Sequence, residues 1–296
     1  MIEIRRILEL DEVAIFMEKM NAQPSHHVGY CGTDKDEIKH TLLTDFSDLS
    51  LEYSLMGAFL DDQLVGFIGL DIDKDSKEAE VWGPFIFHSE WDEIADQMWR
   101  KLIEELPFSL VTVYGFYNIH NTKGNQFMKR IGAKKSGEHS ILQVSVNNLI
   151  SMKDSQLNIR EIEETDFLPF QTLHNDAFPE AYFSADEMIE RQGRTQKLFI
   201  AEMNDLFCGY VFCEAEPSFA EGDIHFIAVS PAFRNRGVGS ELMKVGLNFL
   251  FSFKEIEVIT LTVKSDNQAA LKVYLHAGFT EQHRLYAYRC TFDRRS

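Results

Sequence analysis

Short runs of alternating apolar and polar residues, punctuated by turn pairs and by stretches with helical period, follow one another in an order that occurs twice along the chain. In the first half, residues 51–60 read as a strand that ends at Asp61-Asp62, and residues 63–71, carrying Gly66, read as its partner. In the second half, residues 197–203 end at Asn204-Asp205 and are followed by residues 206–213, carrying Gly209. Acidic and amide pairs of this kind suit tight hairpins. A third strand follows each hairpin, at 79–87 and 223–229, and then a helix. Further on, Asn121 and Gly132 correspond to Asn267 and Gly278, the second half having gained a net three residues in the loop 231–239. Each half also opens alike, with a strand and a helix at 2–7 and 10–20, and again at 157–162 and 166–177. This order predicts an α+β (three-layer α/β) plan, with two tandem domains that each wrap helices around a mixed, mostly antiparallel sheet. The expected bounds are 1–148 and 157–296, joined by a linker at 149–156 in a polar stretch without clear period.

The bulk properties agree with this division. A chain of 296 residues suits two domains of roughly 150 each. Its 45% apolar and 26% charged residues are enough for two cores and carry no disorder signature. A net charge of −18 argues against nucleic-acid binding, which needs a basic face, and is compatible with a cationic substrate. Cys31, Cys208, Cys213 and Cys290 show no pairing pattern and read as free thiols. There is no apolar leader segment, and no run approaches the ~18 apolar residues that span a bilayer, so a cytoplasmic protein without membrane contact is expected. His26, His27, Cys31 and His40 fit no common zinc spacing, and no metal site is expected.

The sharpest chemical signal lies between Asp223 and Ser240. A strand runs into the turn Ser230-Pro231, then into a loop containing Arg234, Gly237 and Gly239, then into a helix at 240–253. The glycines permit backbone angles that other residues resist and keep side chains away from a ligand. Loop amides and the helix N-terminus then present partial positive charge to an anion, with Arg234 and Arg236 at the rim. A pyrophosphate suits such a loop, although a plain strand-to-helix turn with incidental glycines would read the same. No Gly-Lys-Ser/Thr follows, and Leu242 stands where a dinucleotide fingerprint needs glycine. After a strand at 256–263 comes a helix with Asn267, Ala270, Tyr274 and Ala277 on one stripe, closed by Gly278.

The run Arg234-x-x-Gly237-x-Gly239, helix, strand, Asn267-x-x-Ala270-x-x-x-Tyr274-x-x-x-Gly278-Phe279 resembles the GNAT acyltransferase superfamily, strongly over 223–279 and more weakly elsewhere. The resemblance implies an acetyl-CoA-dependent N-acetyltransferase, with acetyl-CoA as cosubstrate and a primary amine of a small molecule or peptide as acceptor. It implies that Ile227, Ala228 and Val229 contact the pantetheine and thioester. Arg234, Asn235, Arg236, Gly237, Val238, Gly239 and Ser240 would hold the phosphates, and Asn267 the cofactor arm. Tyr274 would give a proton to the departing thiolate, its ordinary pKa of about 10 lying near that of a thiol. Asp223 and His225 are candidates for the base that deprotonates the amine, Asp223 standing where some members of the family carry a glutamate. An acyl-CoA-binding sensor or scaffold without turnover is the alternative, and either a monomer or a homodimer fits.

The first half departs from the resemblance. Its strand reads Glu80-Val-Trp-Gly-Pro84-Phe-Ile-Phe87, and the following residues, with Glu90, Asp92 and Glu93, lack the glycine loop and would repel a pyrophosphate. Met128 occupies the tyrosine position and has no proton to give. This half is expected to be a degenerate domain without a cofactor site.

Overall fold

The computed structural model describes residues 1–7, 9–150, 157–179 and 181–292. The chain divides into two compact units, one formed by Met1–Ser140 with His283–Ser296 and the other by Ile141–Gln282. Most of the expected linker, 151–156, lies outside the described residues.

The first unit contains β1 (Ile2–Arg5), α1 (Leu10–Asn21), α2 (Lys35–Thr44), the single turn α3 (Leu51–Ser54), β2 (Leu55–Leu60), β3 (Gln63–Asp73), β4 (Glu78–Ile86), α4 (Trp91–Glu104), β5 (Thr112–Asn118) and α5 (Thr122–Arg130). The strand expected from residue 51 starts four residues late. Ser54, buried and bonded through its hydroxyl to Ser47 and to the Ser50 carbonyl, belongs to that short turn. At the β2–β3 hairpin both Asp61 and Asp62 have positive φ, 48° and 62°, which is the backbone a type I′ turn requires. β4 and β5 pair in parallel over Glu78–Glu80 and Thr112–Tyr114. Phe67, Phe85, Phe127 and Met98 are fully enclosed in the core between this sheet and its helices.

β6 (Lys134–Ser145) carries the chain from the first unit to the second. There follow β7 (Asn158–Glu161), α6 (Phe167–Ala177), α7 (Ala185–Glu190), β8 (Gln196–Met203), β9 (Leu206–Glu216), β10 (Glu221–Val229), α8 (Val238–Leu250), β11 (Val258–Lys264), α9 (Gln268–Ala277) and β12 (Thr280–Thr291). A four-stranded antiparallel sheet runs in the order β10-β9-β8-β7. The β8–β9 hairpin repeats the chemistry of its counterpart, with φ of 52° at Asn204 and 60° at Asp205. One core fills the space under α8 with Leu242, Leu247, Val211 and Cys213, and another packs Phe170, Met188, Tyr210 and Phe212 against α6 and α7.

Each unit takes a strand from sequence belonging to the other half. Leu285–Thr291 of β12 pairs antiparallel with Thr112–Asn118 of β5 in the first unit, and its Tyr288 is buried in that core. Leu142 and Val144, at the end of β6, are buried in the core under α8. All four cysteines are free and buried. Among the described residues, no helix is long and apolar enough to cross a membrane, and no cluster of His, Cys, Asp or Glu is arranged to hold a metal ion.

Candidate functional site

In the first unit β4 and β5 begin as a parallel pair, whereas their counterparts in the second, β10 and β11, share no ladder. A cleft of about 760 Å³ opens along the free edge of β10, between the start of α8 and the exposed stripe of α9. Ile227 and Val229 line it from β10, and both also lean on the core under α8. Phe226 and Ala228 alternate to the opposite face and are buried there, so the Ala228 side chain is not part of the cleft.

The polar end of the cleft is the start of α8. A 3-10 turn, Pro231–Phe233, leads to Asn235 at φ 61° and Gly237 at φ 83°. These two left-handed residues turn the chain so that α8 begins with no side-chain cap. The first intrahelical bond runs from Glu241 N to Gly237 O at 3.1 Å, which leaves the amides of Val238, Gly239 and Ser240 without helical acceptors. All three residues, with Asn235 and Gly237, line the cleft. Such amides and the helix dipole form an anion site. The two glycines serve different ends. A Cβ at Gly237 would meet nothing within 4 Å, so the residue is needed for its backbone angle. A Cβ at Gly239 would stand 3.3 Å from Val273 and 3.5 Å from Val229, so that residue permits close packing.

Arg234 lines the cleft and is anchored by a bond from its Nε to the Val229 carbonyl, 3.1 Å. Arg236 does not line it; its guanidinium lies 5.6 Å over the Phe233 ring. Asn267 also stands apart, because its side-chain oxygen caps α9 by accepting from Ala270 N at 3.1 Å. Asn121 makes the same cap on α5, accepting from Gly124 N at 2.9 Å. The asparagine shared by the two halves is thus a helix cap in both. Tyr274 lines the cleft, packs edge-on to Phe279 at 5.6 Å, and is held above its ordinary phenol pKa by burial. Gln268, Lys272 and His276 complete the α9 wall, and sequence reasoning passed them over. Their spacing of four, which puts them on one helical face, is the signal that could have found them.

Asp223 and His225 lie outside the cleft lining. A bulge between Ile224 and Phe226 turns His225 onto the aromatic face of β10, where its ring is 5.6 Å from Phe212 and 5.4 Å from Phe183. His225 Nε2 is 2.9 Å from Glu214 Oε2, and Nδ1 is 3.0 Å from the Tyr182 hydroxyl. Asp223 is exposed, pairs in register with Glu214, and its charge acts on Tyr182.

The first unit fills the equivalent corner differently. α4 likewise starts without a side-chain cap, but Asp92 stands in its first turn. Lys123, at 2.5 Å, and Arg130, at 3.0 Å, bind that carboxylate from α5, and the Lys123 bond is the main reason its pKa is depressed. The negative charge that such a helix terminus favours is built into the chain. Met128 is fully buried.

Residues 159–279 match the family described as Acetyltransferase (GNAT) family. A mycothiol acetyltransferase of Tsukamurella paurometabola is 38% identical over 74 residues, which is 25% of this chain and 25% of that relative. The chain therefore spans only about a quarter of that relative's length. Among solved structures, a GCN5-related N-acetyltransferase from Sphaerobacter thermophilus aligns with a TM-score of 0.66 at 14% identity, covering 98% of this chain and 95% of that one. A tandem GNAT protein from the clavulanic acid biosynthesis pathway aligns with a TM-score of 0.58 at 12% identity, covering 98% of both chains. These likenesses establish the fold along the whole chain. Residues 159–279 thus match the GNAT family, and the chain as a whole has the fold of these aligned structures.

Proposed function

We propose that this chain is an acetyl-CoA-dependent N-acetyltransferase that modifies a primary amine of a small molecule or peptide, with one cofactor site per chain, in the second unit. The observation that carries the reading is the cleft beside β10, whose polar end is the uncapped start of α8 and whose wall holds Tyr274. The residues present fit the cofactor: three helix amides, Arg234 and Lys272 suit a diphosphate, and Ile227, Val229 and Val273 offer an apolar wall for a pantetheine arm. Bound there, acetyl-CoA supplies the activated acyl group.

The chain's own residues then divide the work. The free edge of β10 offers main-chain donors toward the acyl carbonyl. Tyr274 Oη, its pKa raised by burial, keeps its proton at neutral pH and holds it for a departing sulfur. His225 serves as the base for the acceptor ammonium, with Asp223 and Glu214 favouring a cation on that face. The first unit acts as a support, since Asp92 already neutralises the start of α4. Isothermal titration with coenzyme A tests the proposal directly. One site per chain, lost in Gly237→Val, is expected. Two equivalent sites, or no heat of binding, would refute it.

A further inference from the structure

The proposed reading leaves open how a proton leaves an ammonium for His225, whose two ring nitrogens are both engaged. We infer that Tyr182, His225 and Glu214 form a proton relay in which the exposed Tyr182 hydroxyl, and not the imidazole, meets the acceptor amine. This inference rests on the acetyl-transfer reading of the second unit.

The direction of the relay follows from its donors and acceptors. A carboxylate accepts only, so the 2.9 Å contact fixes the imidazole proton on Nε2, donated to Glu214 Oε2. Nδ1 then carries the lone pair and accepts from Tyr182 O–H at 3.0 Å. Glu214 is held in place from its other oxygen by the Gln196 side-chain amide. With its hydrogen directed inward, Tyr182 Oη presents a lone pair outward, and the Tyr182 residue is 64% exposed. In the transfer, an N–H bond of the ammonium breaks as a new O–H bond forms on Tyr182. The original Tyr182 O–H bond breaks as N–H forms on Nδ1. The products are a neutral amine, an unchanged phenol and an imidazolium facing the Glu214 carboxylate. Burial, and then the charges of Asp223 and Glu214, raise the Tyr182 pKa, so the phenol passes the proton on without standing as phenolate.

The loop that carries Tyr182 is fastened from behind. His174, buried in α6, contacts the Phe183 carbonyl through Nε2 at 3.0 Å and the Tyr210 hydroxyl through Nδ1 at 2.6 Å. A carbonyl only accepts, so Nε2–H donates to it and Tyr210 donates to Nδ1. The polar and charged groups around the relay are Glu214 on β9 and Asp223 on β10, whose charges act on Tyr182, with Arg191 stacked over Phe183 at 4.1 Å.

Two measurements test the relay. Long-range proton–nitrogen NMR of the full chain, with His225→Gln to assign the signal, should show the Nε2-protonated tautomer above the imidazole titration. Tyr182→Phe should move the Nδ1 resonance toward that of an unbonded nitrogen. Glu214→Gln should move the Nε2 resonance, because a neutral acceptor replaces the charged one that receives its proton. The opposite tautomer, or a ring indifferent to both changes, overturns the relay whether or not the protein acetylates anything. The second measurement follows free thiol from acetyl-CoA with a panel of primary amines that includes 2-phenylethylamine, from pH 6 to pH 9. Tyr182→Phe should reduce kcat/KM for the amine at least tenfold with KM for acetyl-CoA unchanged, and Glu214→Gln should move the acidic limb of the profile. An unchanged profile in both variants removes the relay from the reaction. A wild type that acetylates no amine overturns the proposed activity, while the ring spectra still decide the hydrogen-bonded relay.

Discussion

Replacing Gly237 with alanine tests whether the start of α8 is a binding device. The residue sits at φ 83°, and an added Cβ would meet nothing within 4 Å, so crowding contributes nothing and the whole cost is conformational. Holding an L-residue in that region costs roughly 1–2 kcal/mol. This cost can fall in two places. If the loop keeps its shape, the folded state loses about 1–2 kcal/mol of stability and coenzyme A binds as before. If the loop relaxes, stability is kept, the amides of Val238–Ser240 turn away, and affinity falls by up to about five- to thirtyfold. The two losses, summed as free energies, should come to about 1–2 kcal/mol. Gly239→Ala is the control: its helical backbone suits alanine, and the new methyl meets Val273 at 3.3 Å, a contact a flexible side chain can relieve. Titration calorimetry with coenzyme A and urea unfolding of both variants supply the terms. Gly237→Ala with native stability and native affinity would refute the reasoning, as would a larger total loss in Gly239→Ala.

Three further outcomes are expected. Tyr274→Phe should lower kcat by about a hundredfold or more while leaving the coenzyme A affinity within twofold, because the phenol acts in proton transfer and its ring keeps its packing; a stopped-flow and calorimetric comparison checks this. Glu80, half-buried on β4 with its Oε1 enclosed and unpartnered, has its pKa pushed up to about 8, first by burial and then by Asp71 across the ladder. Its contribution to stability is whole at low pH and is lost as pH rises from about 4 toward 8, so Glu80→Gln should gain on the wild type over that window by up to about 3 kcal/mol at pH 7, read by denaturant melts. Arg160 binds Asp166 through two nitrogens, at 2.6 and 3.0 Å, and Glu202 at 2.6 Å. Although burial opposes it, these bonds hold the Asp166 pKa below the carboxylate range, so the stability they supply is present at neutral pH and lost as pH falls through and below about 4. Asp166→Asn should cost about 1.5–3 kcal/mol at pH 7 and progressively less as pH falls below about 4.

Sequence alone determined what is decided within a few residues. Asp61-Asp62 and Asn204-Asp205 announce tight hairpins because these residue types tolerate positive φ, which all four adopt. Gly237 and Gly278 mark helix ends for the same reason, with φ of 83° and 110°. Period put Tyr274 on one stripe of α9 and the glycines marked the loop before α8; the resemblance to the GNAT family joined the two, and Val238, Gly239, Ser240 and Tyr274 line one cleft. Tertiary structure decided whatever depends on the choice of a distant partner. An alternating strand such as 285–291 suits any open sheet edge, and nothing local says that it joins β5 of the first unit while Leu142 and Val144 fill the second. The bulge beside His225, the contacts of Glu214 and Tyr182 with it, and the use of Asn267 as a cap arise the same way. Each hydrogen bond needs its partner in place. Which partner arrives is settled by packing of the whole unit, where side chains compete for one geometry, and not by the residues on either side.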